Sequence, residues 1–117
     1  MGYKNQINFA EDFTDMPMGR YRKHGDVSGE VFRDDHLLPA LKMFGDDVVT
    51  INLYGIYGMG GSFIDEAFGG LIREHGYTTN ELLERFEFES DDEFLVEEII
   101  SIIEEYGDWE TVNSLIN

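Results

Sequence analysis

Cysteine is absent from this 117-residue chain, which excludes disulfides and thiolate metal sites. Basic residues are scarce: 8 Lys and Arg residues stand against 25 Asp and Glu residues, so the net charge is −17. The sequence contains only 2 prolines, no signal-peptide pattern and no apolar run long enough to span a membrane. These absences predict a cytoplasmic protein that contacts neither membranes nor nucleic acid directly and holds no cofactor.

The remaining composition is that of a folded protein. Hydrophobic residues make up 42% of the chain and aromatic residues 14%. A chain of this length can bury one real core but not two. We therefore predict a single α/β domain over residues 1–117, with one sheet and helices covering at least one of its faces.

The segment 48–72 organises the chain. Residues 48–53 are β-branched and aliphatic, which predicts the central strand of the sheet. From Ser62 to His75 the apolar spacing becomes helical, and Ser62 followed three residues later by Asp65 predicts a capping box with Ser62 as the N-cap. Between strand and helix lies a loop rich in glycine, with Gly55, Gly58, Gly60 and Gly61.

Shorter patterns predict the other elements. Two further strands are expected at 6–9 and 86–88, and a short helix at 79–84. A helix over 28–44 is capped by Ser28 and should be kinked or divided by Pro39 near His36. An acidic helix over 91–106 should end at Gly107, with Phe94 on its apolar face. The predicted core comprises Ile7, Phe9, Phe32, Leu37, Leu41, Val49, Ile51, Leu53, Phe63, Ala67, Phe68, Leu71, Phe86, Phe88, Leu95, Ile99 and Ile102.

The few basic residues are clustered. Arg20, Arg22, Lys23 and His24 lie together, and Arg33 follows. In so acidic a chain, this isolation favours internal salt bridges over an anion site.

The glycine loop does not have the pattern of a nucleotide site. No P-loop lysine follows it, and Phe63 stands where a dinucleotide fingerprint has its third glycine. Asp65 and Glu66 in the first helical turn would also repel an anion. Ser62 does not lie in the G-x-S-x-G elbow of hydrolases, and the histidines are too scattered for a zinc site. We therefore expect no catalytic and no metal-binding residues.

Acidic residues concentrate towards the C-terminus. Ordinary solvation of an amphipathic helix explains their spacing. The alternative is an acidic phage-type inhibitor that binds a basic groove of a nucleic-acid-binding or defence protein by charge mimicry. The acidic face comprises Asp91, Asp92, Glu93, Glu97, Glu98, Glu104 and Glu105.

Two blocks of the chain resemble the STAS-like domain family of unknown function of bacteria and phages, a relative of the sulfate-transporter and anti-sigma-factor-antagonist domain. The first block carries Gly19-Arg20-Tyr21-Arg22, Ser28-Gly29 and Phe32-Arg33, and the second is the run from Ser62 to Leu71. The resemblance implies a mixed sheet with packed helices and no enzymatic activity.

The resemblance also implies a switch residue. In the wider superfamily, a Ser or Thr at the N-terminus of this helix is phosphorylated by a kinase of the histidine-kinase-like ATPase type, and only Ser62 occupies that position. The usual Asp-Ser-Ser pattern reads Gly60-Gly61-Ser62 here. The expected function is a regulatory module that binds another protein, with a plain N-cap role for Ser62 left open. The expected partner-binding residues are Gly58, Gly60, Gly61, Ser62, Asp65 and Glu66.

Overall fold

A computed structural model describes residues 5–116 of the chain, with side chains described for residues 5–111. Its sheet has three strands, β1 (Gln6–Asn8), β2 (Val49–Asn52) and β3 (Phe86–Glu89), in the order β1-β2-β3. Strand β2 is central, as predicted. Both strand pairs are parallel, so the described sheet is entirely parallel, whereas the resemblance implied a mixed sheet.

The register separates an apolar face of the sheet from a polar one. Ile7 pairs with Ile51, which pairs with Phe88, and these side chains point towards the core. The neighbouring row joins Thr50 to Gln6 and Glu87, and none of these three is buried. The period of two in β2 therefore places helices on one face and leaves the other polar.

Within residues 5–116, five helices accompany the sheet. α1 is Phe9–Asp12, and a 3₁₀ turn follows at Arg22–His24. The remaining helices are α2 (Gly29–Phe32, Arg33–Leu37 and Leu38–Met43 in succession), α3 (Gly61–Ile64, Asp65–Gly69 and Gly70–His75 in succession), α4 (Thr79–Arg85) and α5 (Glu93–Ile116).

Helix α2 follows its sequence signals. The Ser28 side chain accepts a hydrogen bond from Val31 N at 3.3 Å, so it is the N-cap, as predicted. The middle segment, Arg33–Leu37, is a π-helix, and the α-helix resumes with Pro39 in its first turn. Proline has no N–H to offer the helix, and the hydrogen-bond pattern changes just before it, close to the predicted position at His36. The backbone stays helical throughout, so α2 is interrupted in its pattern but not split into separate helices.

Helix α5 differs from its prediction at both ends. It starts at Glu93, with the Asp92 side chain accepting from Leu95 N at 3.1 Å. It continues through Gly107 to Ile116, so the predicted stop at Gly107 is wrong. Glycine in a helix interior costs about 1 kcal/mol, too little to end a helix that has packing on both sides. The rings of Tyr106 and Trp109, 6.0 Å apart, flank the glycine.

The core lies between the apolar sheet face and helices α2, α3 and α5. The predicted core residues are buried except Phe88 and Ile102, which are partly buried against it. The rings of Phe9, Phe32 and Phe63 pack against one another in this core, with ring centroids 4.5 to 6.0 Å apart. Among the described residues, seven buried hydrophobic residues were not in the predicted set: Val31, Leu38, Met59, Ile64, Ile72, Leu82 and Ile103.

Candidate functional site

The corner between β2 and α3 is the candidate site, and its first residue is displaced from the prediction. Gly60 has an extended backbone (φ −75°, ψ 157°), and its carbonyl accepts from Ile64 N at 3.1 Å. Gly60 is therefore the N-cap, and Ser62 is the second residue of the helix. The predicted N-cap role of Ser62 is therefore wrong. The predicted capping box is wrong as well, because the Asp65 carboxylate pairs with arginines instead.

Ser62 is exposed, and its hydroxyl has no hydrogen-bond partner among residues 5–111. Gly58, Gly60 and Gly61 are exposed beside it. Helix α5 passes close to this corner: a Cβ at Gly61 would lie 3.7 Å from Glu98 Oε2. The corner thus combines a free hydroxyl with a nearby carboxylate.

Asp65 and Glu66 point away from that surface, into a cluster of arginines. Asp65 Oδ2 lies 2.6 Å from Arg20 Nη1 and 3.2 Å from Arg73 Nη1. Glu66 is 3% exposed and pairs with Arg33 at 2.6 Å, with Arg73 at 3.1 Å and with Arg20 at 3.4 Å. The fold therefore withdraws Glu66 from the partner-binding surface in which it was placed and leaves Asp65 only half-buried.

The basic residues of the sequence are the other half of this cluster. Arg33 is 4% exposed, and Arg20 and Arg73 are partly buried. Arg22 lies outside, 3.3 Å from Asp35. The predicted internal salt bridges are thus confirmed for Arg20, Arg22 and Arg33, while Lys23 is exposed.

Tyr106 joins helix α5 to the cluster. Its hydroxyl donates to Asp65 Oδ1 at 2.7 Å and accepts from Arg73 Nη1. Burial and the bond to Asp65 raise the pKa of Tyr106 above its usual 10.0. Burial alone would raise the pKa of Asp65, but the bonds from Arg20 and Tyr106 and the charge of Arg73 outweigh it and hold this pKa below 3.8. The carboxylate is therefore ionised at neutral pH.

Two adjacent glycines, Gly69 and Gly70, leave room for side chains of the cluster between the helices. A Cβ at Gly70 would lie 2.2 Å from Arg33 Nη1, and one at Gly69 would lie 2.5 Å from the Tyr106 ring. Sequence reasoning missed Arg73 and Tyr106 as members of this cluster. The signal available was the Gly69-Gly70 pair inside a helix, since interior glycine often marks close packing.

A cavity of about 230 Å³ adjoins the cluster and is lined by its charged groups. The two arginines in its wall, Arg33 and Arg73, are paired with Asp65 or Glu66. Neither guanidinium is free of a carboxylate partner, and Glu30, Glu66 and Glu74 also line the cavity, so its wall is not cationic. The geometry stabilises the contact between α2, α3 and α5.

The predicted acidic face is presented to solvent. All seven of its residues, from Asp91 to Glu105, are exposed. Phe94, however, is 84% exposed, so its predicted place on the apolar face of the helix is wrong. Leu95, which is buried, takes the inward position in that first turn. Neighbouring residues of a helix point about 100° apart, so Phe94 faces solvent.

Within the described residues, no three His, Cys, Asp or Glu side chains are grouped as metal ligands would be. None of the described helices is both long enough and apolar enough to cross a membrane.

Comparison with known proteins identifies a family. No curated protein and no solved structure matches the chain. The family described as the STAS-like domain of unknown function (DUF4325) matches residues 28–94. This range includes Ser28-Gly29, Phe32-Arg33 and the run from Ser62 to Leu71, which meet at the arginine cluster, and it omits the Gly19–Arg22 block. Because the match covers more than half of the chain, this protein belongs to the STAS-like domain family of unknown function.

Proposed function

We propose that this chain is a non-catalytic regulatory module that binds another protein through the corner around Ser62. The observation that carries the proposal is the exposed Ser62 hydroxyl, which has no hydrogen-bond partner among the described residues and lies at the start of a helix. Phosphorylation of this hydroxyl by a histidine-kinase-like ATPase would switch binding. The three exposed glycines beside it give a partner close access to the backbone.

The arginine cluster supports this proposal electrostatically. Asp65 and Glu66 would oppose a phosphate at the helix N-terminus if their charges were free. Both are paired, because Arg20, Arg33 and Arg73 lie within 3.4 Å of one or the other carboxylate. The positive end of the helix dipole then favours the modified serine.

Glu98 supplies a means of transmitting the switch. A phosphate carries a charge of about −1.5 to −2 at neutral pH and would meet this carboxylate beside Gly61. Like-charge repulsion there would weaken the contact of the α3 start with α5. The acidic surface on α5 would then change its position relative to the corner.

Ser62→Glu tests the proposal, and Asn80→Glu is the matched control. Both residues are exposed, and both are second in their helix. A histidine-kinase-like ATPase, or a partner recovered with the wild-type chain, is titrated by calorimetry against each variant. We expect Ser62→Glu to change affinity at least tenfold, about 1.4 kcal/mol, and Asn80→Glu to leave it unchanged. Equal affinities for all three chains would refute the switch.

A second candidate is favoured by the exposure of the whole acidic face. Such a helix could occupy the basic groove of a nucleic-acid-binding or defence protein as a charge mimic. Replacing Glu97, Glu98, Glu104 and Glu105 by lysine should then abolish inhibition of that protein at low salt. Inhibition that survives the charge reversal would exclude the mimic.

A further inference from the structure

The carboxyl edge of the sheet carries exposed aromatic side chains that the fold does not use. Tyr57 is 81% exposed and Phe94 84%, with Tyr54 and Met16 at least half exposed. Single exposed apolar residues are ordinary, but several at one edge mark an interaction site. Aromatic residues are also the side chains most enriched at protein interfaces.

The chain connections place these residues together. The segments that follow β2 and β3 leave the same edge of the parallel sheet, and the pairing is extended by a bond from Leu53 N to Glu89 O at 2.7 Å. Tyr57 lines a small cavity of about 50 Å³ together with Asp91 and Leu95. Phe94 lies in the same first turn of α5 as Leu95 and, unlike Leu95, faces solvent. The bond from Tyr57 N to Asp15 O, 2.9 Å, brings the segment with Met16 to the same place.

The charge at this edge has one sign. Residues 9–16, 53–61 and 90–98 contain no lysine, arginine or histidine. Asp91, Glu93, Glu97 and Glu98 are exposed and form no ion pair with a described residue. The arginines that could have compensated them are held in the cluster with Asp65 and Glu66. The exposed aromatic residues of this edge are therefore accompanied by exposed acidic residues that lack a counter-charge. We call the two sets the aromatic centre and the acidic rim.

We propose that this edge docks a basic segment of a partner protein that inserts at least one large apolar side chain beside Tyr57 and Phe94. The acidic rim would pair with lysines and arginines of that segment, and the aromatic centre would bury its apolar anchor. A second copy of this chain, nucleic acid and an anionic lipid surface all carry the wrong charge for this rim. The inference rests on the proposed function and adds the chemistry of the partner.

The probe is a synthetic peptide of about 18 residues with leucine at helical spacing and lysine elsewhere. A second peptide of equal charge has serine in place of leucine. Binding is measured by fluorescence anisotropy and mapped by amide chemical shifts of the labelled chain. We expect the leucine peptide to shift residues 53–61 and 90–98, to bind at least tenfold more tightly than the serine peptide, and to weaken as salt is raised.

Two pairs of variants separate this site from general charge attraction. Tyr57→Ala with Phe94→Ala should weaken the leucine peptide about tenfold or more, whereas Met43→Ala, an exposed residue elsewhere, should not. Asp91→Asn, Glu93→Gln and Glu97→Gln together should also weaken it. The control is Asp46→Asn, Glu84→Gln and Glu87→Gln, which removes the same charge from exposed positions elsewhere.

Equal weakening by the two charge variants, or shifts outside the carboxyl edge, would overturn the docking proposal. Thermal unfolding of each variant verifies that it is folded.

Different results would refute the proposed function and the docking proposal. If partner binding responds to Ser62→Glu but not to Tyr57→Ala with Phe94→Ala, the proposed function stands and the docking surface is wrong. If the peptide maps to this edge and no partner responds to Ser62→Glu, the switch is wrong.

Discussion

Arg33 and Glu66 form an ion pair in which both side chains are almost fully buried. Arg33 Nη1 lies 2.6 Å from Glu66 Oε2 and donates also to the Glu66 backbone carbonyl at 3.0 Å. The two side chains are 5% and 4% exposed. The pair connects α2 to α3, and Arg73 and Tyr106 extend the connection to α5. It ties together the elements that support the Ser62 corner.

Breaking one side of this pair should be costly. Arg33→Met removes the closest partner of the buried Glu66 carboxylate, which then keeps only the longer pairs with Arg73 and Arg20. It should lower the free energy of unfolding by about 1–3 kcal/mol. Urea denaturation followed by circular dichroism measures this loss. Arg33→Met combined with Glu66→Leu should cost less than the two single changes added together, because the contact between these two side chains is lost in each single variant and only once in the double variant. Additive losses would show that the two side chains act independently.

The close approach of α2 to α3 depends on Gly29. A Cβ at this position would lie 2.5 Å from the backbone oxygen of Phe63, which cannot rotate aside. Gly29→Ala should therefore destabilise the fold by about 1–3 kcal/mol. Gly107→Ala is the control, because that glycine lies inside α5 with no atom within 4 Å of an added Cβ. It should instead stabilise the chain by about 0.5–1 kcal/mol. Thermal melts that shift in the same direction for both variants would contradict this packing.

Asp65 should make stability depend on acid pH. Its pKa in the folded chain is held below the ordinary 3.8 by Arg20, Tyr106 and Arg73 against the effect of burial. The ionised carboxylate therefore contributes stability that is present above about pH 4 and is lost as pH falls through the folded pKa. Asp65→Asn removes the contribution. The unfolding free energy of the variant should fall less steeply than that of the wild type below pH 4, and equal slopes would exclude the assignment.

Local sequence signals predicted most of the fold. Strand β2 was found because residues 48–53 form a β-branched and aliphatic run, and α2 because Ser28 caps it. The end of α5 was missed because a glycine stop signal reports local propensity, whereas tertiary packing carries the helix through Gly107. The sequence left open whether helices cover one face of the sheet or both, because Thr50 is compatible with a strand on either face.

The candidate site was less accessible to sequence reasoning. The isolation of the basic residues correctly indicated internal salt bridges, but Arg33 and Glu66 are 33 positions apart and no local rule pairs them. The exposure of Phe94 was likewise hidden, because Phe94 and Leu95 are adjacent and only the direction of the helix decides which one is buried. The packing of the helices in the folded chain, not the composition, determines both the Arg33–Glu66 pair and the exposure of Phe94.

The two serines at helix starts should respond differently to alanine. Ser28 is buried and accepts a bond from Val31 N, so Ser28→Ala should cost about 0.5–2 kcal/mol as a lost N-cap. Ser62 is exposed and caps nothing, since Gly60 is the N-cap, so Ser62→Ala should change stability by no more than about 0.5 kcal/mol. Paired urea titrations of the two variants measure the difference. A cost for Ser62→Ala comparable to that for Ser28→Ala would restore the capping role and remove the reason to treat its hydroxyl as free. A neutral result makes Ser62→Ala a folded reagent in which any change in partner binding reports the hydroxyl alone.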